Sequence, residues 1–337
     1  MKGTIMTAAR YWMNPCRCRA AAVALLCLLS SAALAQPRTA GGVTLRDGIV
    51  ADPQRAVAYV MTLDGGVGAV DLATGAIRWR SADAAKPLAI VENVVVSQAE
   101  PKSLAARHTL ELVTLNDTER GALGKRNAVE LPADVRVSVG QTLDGTFTAA
   151  ARPSDGSVIV TWRFVRGHRS GMSPEILEDE RKAAGLREAP QSISGALRME
   201  LSTGKMTTLD SVPAVAAPRW AIPGVEIEGA PRPQFESADG RHVLVSERVA
   251  DDRTFDKYRW TAYDRATKRK LGELRTHVSF APFLVVRGSV LVYWTTPYEM
   301  KSRDEEPAKL RGVSLETGRE LWSVPVREVV WRGPTPP

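Results

Sequence analysis

Cysteine is confined to the first 27 residues of this 337-residue sequence, at Cys16, Cys18 and Cys27. Everything after them lacks a disulfide, a thiol nucleophile and a cysteine metal ligand. Histidine is nearly as scarce: His108, His168, His242 and His277 are scattered, with no metal-ligand spacing such as H-x-x-x-H. No G-x-S-x-G or S-x-x-K stands at a strand-to-helix junction, the setting a hydroxyl nucleophile needs. The stretch Gly65-Gly66-Val67-Gly68 leads into a strand, not a helix, and lacks the N-terminal amides that cradle phosphate. The acidic clusters Glu178-Asp179-Glu180, Asp251-Asp252 and Asp304-Glu305-Glu306 lack the D-x-D-x-D-G spacing of a calcium loop and read as solvated loop charge. Past residue 35 no apolar run approaches the ~20 residues that span a bilayer.

What is present begins with an export signal. Lys2, Arg10, Arg17 and Arg19 precede the apolar run from Ala20 to Leu29, and Ser30 to Ala35 supply small residues. A basic, then apolar, then small-residue order is that of a secretory signal peptide over 1–35, with cleavage expected before Gln36. An uncleaved anchor is the alternative, but the apolar run is short for one. Leu26 before Cys27 argues against lipid attachment there. The formal net charge of +7 includes those four basic residues; without them 41 basic residues face 38 acidic ones, leaving +3. So nearly neutral a chain is not expected to bind nucleic acid. The location expected is periplasmic or secreted, with no transmembrane segment once the signal is removed.

The remainder repeats itself. Val70-Asp71-Leu72-Ala73-Thr74-Gly75-Ala76-Ile77-Arg78-Trp79 matches Val313-Ser314-Leu315-Glu316-Thr317-Gly318-Arg319-Glu320-Leu321-Trp322, each placing Trp four residues after Gly. Weaker copies run from Met199 through Gly204 to Met206 and from Ala262 to Arg269, and a faint one from Leu112 to Asp117. Each reads as a β-hairpin whose turn needs positive φ. Asp-Gly pairs at 47–48, 64–65, 144–145, 155–156 and 239–240 mark further turns. Short β-branched and aromatic runs such as 158–164, 242–246 and 289–294 read as buried strands. Short strands in a repeat of about 40 to 50 residues predict an all-β fold, a β-propeller of four-stranded antiparallel blades. Five blades phase over 43–85, 86–131, 134–211, 219–275 and 279–327, with six or seven still open because a further blade could lie between Pro213 and Pro233. The propeller then occupies 43–331, after a 36–42 linker and before a 332–337 tail, and 326–331 is expected to close the ring beside the first blade.

The repeats at 71–79 and 315–322 resemble those of the pyrroloquinoline-quinone-like β-propeller superfamily. That group includes quinone-dependent alcohol dehydrogenases and also non-catalytic propellers that bind partner proteins. The resemblance implies that Trp79 and Trp322 tie neighbouring blades together, with Gly75, Gly204 and Gly318 as repeat turns. Enzymes of the group are longer, and many carry an adjacent cysteine pair beside the quinone and a calcium bound by Glu, Asn and Asp. This chain has no such cysteines, so the resemblance extends to fold and compartment and not to redox chemistry. No cofactor and no metal are expected.

The connections between second and third strands are long, at 99–107, 166–194, 250–257 and 296–308, and this phasing puts them on one face. Long loops on a rigid scaffold carry binding function. Within 166–194, Ser173 as N-cap, Pro174 behind it and Gly185 at the far end predict one short helix. The residues expected to meet a partner are Arg166, His168, Arg169, Asp252, Arg253, Tyr298, Lys301 and Arg303. His168 between two arginines is suited to an anionic group. Trp162, Trp260 and Trp294 read as packing between blades. The sequence thus predicts an exported, non-catalytic propeller that engages a protein or cell-envelope component. The alternative is an enzyme: a small quinone- or calcium-dependent oxidoreductase, or a glycan hydrolase using two carboxylates among Glu92, Glu236 and Asp239.

Overall fold

The computed structural model describes residues 42–142, 145–166, 192–211, 227–249, 257–296 and 307–328. The export segment lies outside them, as do the 173–185 helix and most of the 213–233 stretch considered for another blade. The described residues form five antiparallel sheets in chain order. Sheet one holds β1 (Val43–Arg46), β2 (Ile49–Asp52), β3 (Val57–Met61), β4 (Val67–Asp71) and β5 (Ile77–Ser81). Sheet two holds β6 (Lys86–Val91), β7 (Val94–Gln98), β8 (Thr109–Asn116) and β9 (Ala122–Glu130). Sheet three comprises β10 (Gly140–Thr142), β11 (Gly145–Ser154), β12 (Ser157–Arg166), β13 (Ser192–Glu200) and β14 (Met206–Leu209). Sheet four runs through β15 (Gln234–Glu236), β16 (His242–Arg248), β17 (Tyr258–Asp264) and β18 (Lys270–Thr276), and sheet five through β19 (Phe283–Val286), β20 (Val290–Thr295), β21 (Ala308–Ser314) and β22 (Glu320–Val326). These are the five blades of a β-propeller.

Two corrections to the sequence reading concern strands. Sheets one and three have five strands, not four. In sheet one the Asp47-Gly48 turn, with Gly48 at φ 79°, folds β1 back onto β2; the sequence showed this turn but not the extra strand behind it. Strands also claim both ends of the 166–194 insertion, since Arg166 closes β12 and β13 starts at Ser192.

One hydrogen bond recurs in all five blades and fixes how the hairpins stack. The first residue of each outer turn donates its N–H to the carbonyl of the inner turn beside it: Leu72 to Ala56, Asp117 to Asn93, Leu201 to Gly156, Arg265 to Arg241 and Leu315 to Ser289, all at 2.8–3.1 Å. Both turns of a blade therefore lie on one face, here the turn face. The turns are tight for a local reason: Asp71 Oδ1 accepts from the N–H groups of Ala73 and Thr74, and Asp264 and Ser314 accept from Thr267 and Thr317 in the same way.

The blades are joined by the repeat tryptophans. A Cβ on Gly121 would stand 2.4 Å from the Trp79 ring, and one on Gly75 would stand 2.5 Å from that of Trp322. Each indole thus lies against the turn glycine of the next blade, with no room for a larger residue there. Trp79 also donates its indole N–H to Asp117 at 2.8 Å. Because Trp322 belongs to the last blade and Gly75 to the first, the same contact closes the ring. Arg327 extends the closure by donating its N–H to Met61 O at 2.9 Å. Separate apolar clusters fill the seams between blades one and two, two and three, four and five, and five and one. Trp162 stacks on Phe147 in the second of these, Trp260 meets Tyr293 edge-on in the third, and Trp294 lies in the fourth. Among the described residues no apolar cluster spans blades three and four.

Candidate functional site

The site is built from strand direction. In each blade the strand that leaves the inner turn (β3, β7, β12, β16 and β20) runs away from the turn face, so its connection to the next strand emerges on the opposite side. The strand ends flanking the long connections all lie there: Gln98 and Thr109, Arg166 and Ser192, Arg248 and Tyr258, Thr295 and Ala308. The connections at 99–108, 167–191, 249–257 and 296–307 therefore begin and end on one face. In sheet one the same position holds only the short turn 62–66, secured by the Gly66 N–H to Thr62 Oγ1 bond of 3.0 Å.

Near the inner strands this face carries a polar collar. The Lys86 side chain is 2% exposed, and its Nζ lies 2.7 Å from Asp47 Oδ1 and 2.8 Å from Oδ2. Asp47 is 44% exposed, so the carboxylate faces solvent above a buried ammonium and pins the β1–β2 turn to the start of β6. Gln98, fully buried, donates from Nε2 to Ser138 O at 3.1 Å. Glu100 meets Arg327 at 3.3 Å, joining sheet two to the end of sheet five. The Arg46 guanidinium lies 3.7 Å from the Trp294 ring centroid, a cation–π contact across the five–one seam. Two leucines stand out in this polar setting: Leu63 is 57% exposed in the short turn of sheet one, and Leu104 is 75% exposed just before a 3-10 helix, Ala105–His108. Exposed apolar side chains at loop tips on a polar face are what a partner can bury.

Of the residues expected to contact a partner, Arg166 alone is described. It ends β12 on the loop-bearing face, half-buried, with Nη2 3.1 Å from Asp134 Oδ1 as an ion pair without hydrogen-bond geometry. His168, Arg169, Asp252, Arg253, Tyr298, Lys301 and Arg303 lie outside the described residues. Lys86, Asp47, Leu63 and Leu104 were not singled out from sequence. A lysine opening the apolar strand Lys86-Pro87-Leu88-Ala89-Ile90-Val91 was the signal for the first, since a strand so apolar buries its lysine only beside a counter-ion.

The carboxylates considered for hydrolysis are on the turn face. Glu92 sits at positive φ in the β6–β7 turn. Glu236 is held by Arg265. Asp239 accepts from the Ser237 hydroxyl and, at 3.1 Å, from the Arg241 N–H, while His242 Nδ1 lies 3.7 Å away. Burial pushes the Asp239 carboxyl up, but its interactions with His242, Ser237 and the Arg241 N–H outweigh this and hold it below its usual range. Glu236 and Asp239 thus serve turn and ion-pair geometry, and Glu92 belongs to a different blade. Among the described residues there is no cysteine and no group of three or more His, Cys, Asp or Glu side chains placed to hold a metal ion.

No family model matches the sequence, and no curated protein does. Solved propellers do. The Dos1 propeller is 9% identical, with a TM-score of 0.26 over 81% of this chain and 56% of that one. A europium-containing methanol dehydrogenase is 11% identical, with a TM-score of 0.24 over 82% and 68%. BamB from Moraxella catarrhalis is 13% identical, with a TM-score of 0.23 over 80% and 58%. The likeness is one of fold. The chain spans little more than half the length of the first and third of these.

Proposed function

We propose that the chain is an exported, non-catalytic β-propeller that binds a protein of the cell envelope through its loop-bearing face. The observation that carries this is the asymmetry of the disc. The turn face consists of short turns bolted together by a repeated hydrogen bond, whereas the opposite face receives the long connections at 99–108, 167–191, 249–257 and 296–307; exposed apolar side chains occur at both, Leu63 and Leu104 on this face and Ile77, Leu123 and Leu321 just after the outer turns. The basic, apolar and small-residue order of positions 1–35 supports export, and the absence of cysteine beyond it weighs against quinone redox chemistry in this family of folds.

The test is capture of partners from cell-envelope extract by the chain and by two variants, Leu104→Asp and a replacement of 167–191 with a short Gly-Ser linker. The reading expects one or more envelope proteins to be held by the parent chain and lost from the variants with melting unchanged. Retention by both variants overturns it. A rise of several degrees in Tm on adding quinone and calcium would instead favour the oxidoreductase, because a ligand specific to the folded state stabilises it.

A further inference from the structure

We propose that the turn face of blades four and five is a membrane-binding surface, one that takes a bilayer carrying anionic lipid headgroups. It is the side of the disc opposite the loop-bearing face, so either proposal can fail without the other. The starting observation is an uneven spread of charge. Every turn of these two blades holds an exposed arginine: Arg241 and Arg269 in the inner and outer turns of blade four, Arg287 and Arg319 in those of blade five. Among the described residues none of these four guanidinium groups is paired with a carboxylate. The turns of blades one to three differ. Arg55 is engaged by Asp52 and Asp117 and Arg78 by Asp71, while Arg120 and Lys205 stand among Glu92, Glu119, Asp155 and Glu200.

The backbone holds the four arginines close together. In blade four the consecutive N–H groups of Asp264 and Arg265 donate to Arg269 O at 2.9 Å and to Arg241 O at 3.0 Å. In blade five Ser314 and Leu315 donate in the same way to Arg319 O at 2.9 Å and to Ser289 O at 2.8 Å, two residues after Arg287. The outer turn of blade five also lies against blade four, since a Cβ on Gly318 would stand 3.2 Å from Glu273 O in β18. Most acids nearby are committed elsewhere. Arg265 takes Glu236, Lys270 pairs with Glu273 at 2.6 Å, Arg311 takes Glu320, and Asp239 and Asp264 accept turn N–H groups. Glu316 in the blade-five turn and Glu228 beside blade four are exposed, and the four arginines still leave the surface net positive.

Like charges crowded on adjoining turns repel one another, and an anionic surface relieves that repulsion. Two further features point to a bilayer. Leu321, two residues after Arg319, is 52% exposed, and Ile77, 38% exposed, lies across the five–one seam where Trp322 rests against Gly75. Basic residues beside exposed aliphatic side chains are what a peripheral protein places at the boundary between headgroups and acyl chains. The chain also enters the propeller on this side. Val43 pairs with Ala51 next to the inner turn of blade one, and Gly42 donates its N–H to Ile90 O at 3.2 Å near the inner turn of blade two. Connectivity therefore leads from the apolar run Ala20 to Leu29 to the turn face, and the long connections are on the other side.

Vesicle flotation tests the proposal, with the protein purified from cells and vesicles of phosphatidylcholine alone or mixed equally with phosphatidylglycerol. The expected result is binding to the mixed vesicles that weakens as salt is added. Each basic residue near an anionic surface strengthens binding about fivefold, so Arg241→Gln/Arg269→Gln/Arg287→Gln/Arg319→Gln should bind at least tenfold more weakly. A charge-matched control away from the turn face, Arg152→Gln/Arg163→Gln/Arg198→Gln/Arg248→Gln, should stay within twofold of the parent, with Tm unchanged in both. Lysine at the same four turn positions should keep most of the binding, because a bilayer reads charge and not the guanidinium fork. A loss with lysine as deep as with glutamine would assign the surface to a ligand held by paired hydrogen bonds and overturn the proposal. Equal losses in the two quadruple variants would reduce the effect to bulk charge and overturn it, as would equal binding to vesicles with and without phosphatidylglycerol. If the turn-face variant lost heparin binding but kept vesicle binding, the surface would belong to a polysaccharide and the proposal would fail.

Discussion

At Gly75 two constraints meet: φ is +72°, and the Trp322 indole occupies the space a side chain would need. Alanine there carries the left-handed strain of about 1–2 kcal/mol and the overpacking of a closed seam, about 1–3 kcal/mol. Gly156 has φ +68° with nothing within 4 Å of its Cβ position, so alanine there carries the strain alone. Gly75→Ala should therefore lose at least ~1 kcal/mol more than Gly156→Ala in urea unfolding, and equal losses would mean that the indole does not press on the turn. Asp239 yields a pH prediction. Its folded pKa lies below the unfolded value, so its contribution is present above the unfolded value near 4 and is lost as pH falls through the folded one. The stability gap between the parent and Asp239→Asn should be visible at pH 7 and narrow as pH falls below about 4; a gap that widens in acid would contradict this sign. At this scale Trp79, Trp322 and their glycines were legible because the pattern repeats in sequence. Lys86 was not, because its counter-ion Asp47 lies in another hairpin and only the fold brings the two together.

Among the elements, the outer strands differ in how they are held. β5 and β22 carry the indoles that dock on the next blade, whereas β14 has four residues and Thr208 in the tryptophan position. Native-state hydrogen exchange should reflect this, with β14 amides exchanging at least tenfold faster than those of β5 and β22; equal protection would show that the latch adds nothing to the outer strand. The hairpins and five-blade phasing could be read from sequence because each turn is set by local chemistry: Asp-Gly pairs, Thr-Gly pairs and the hydroxyl or carboxylate that receives the turn N–H groups. The fifth strands β1 and β10 could not, since a three- or four-residue segment joins a sheet only when an edge is offered. The degenerate copies at 199–206 and 262–269 lack, at Thr208 and Lys268, the tryptophan and the glycine that join other blades.

For the whole molecule, the repeated turn bond and the Trp322-to-Gly75 contact make the disc rigid on one face and at its closure, and they leave the opposite face to the long connections. That division was legible in the spacing of strands and turns. What the face binds was not, since most of the residues chosen for it lie in the connections themselves. The most direct measurement is site-specific photo-crosslinking in cells, with the photoreactive residue at Leu63 or Leu104 on the loop-bearing face and at Thr203 or Lys205 on the turn face. The account predicts discrete higher-mass adducts from the first pair and none from the second. Adducts from the turn face alone, or equal labelling of both faces, would contradict it.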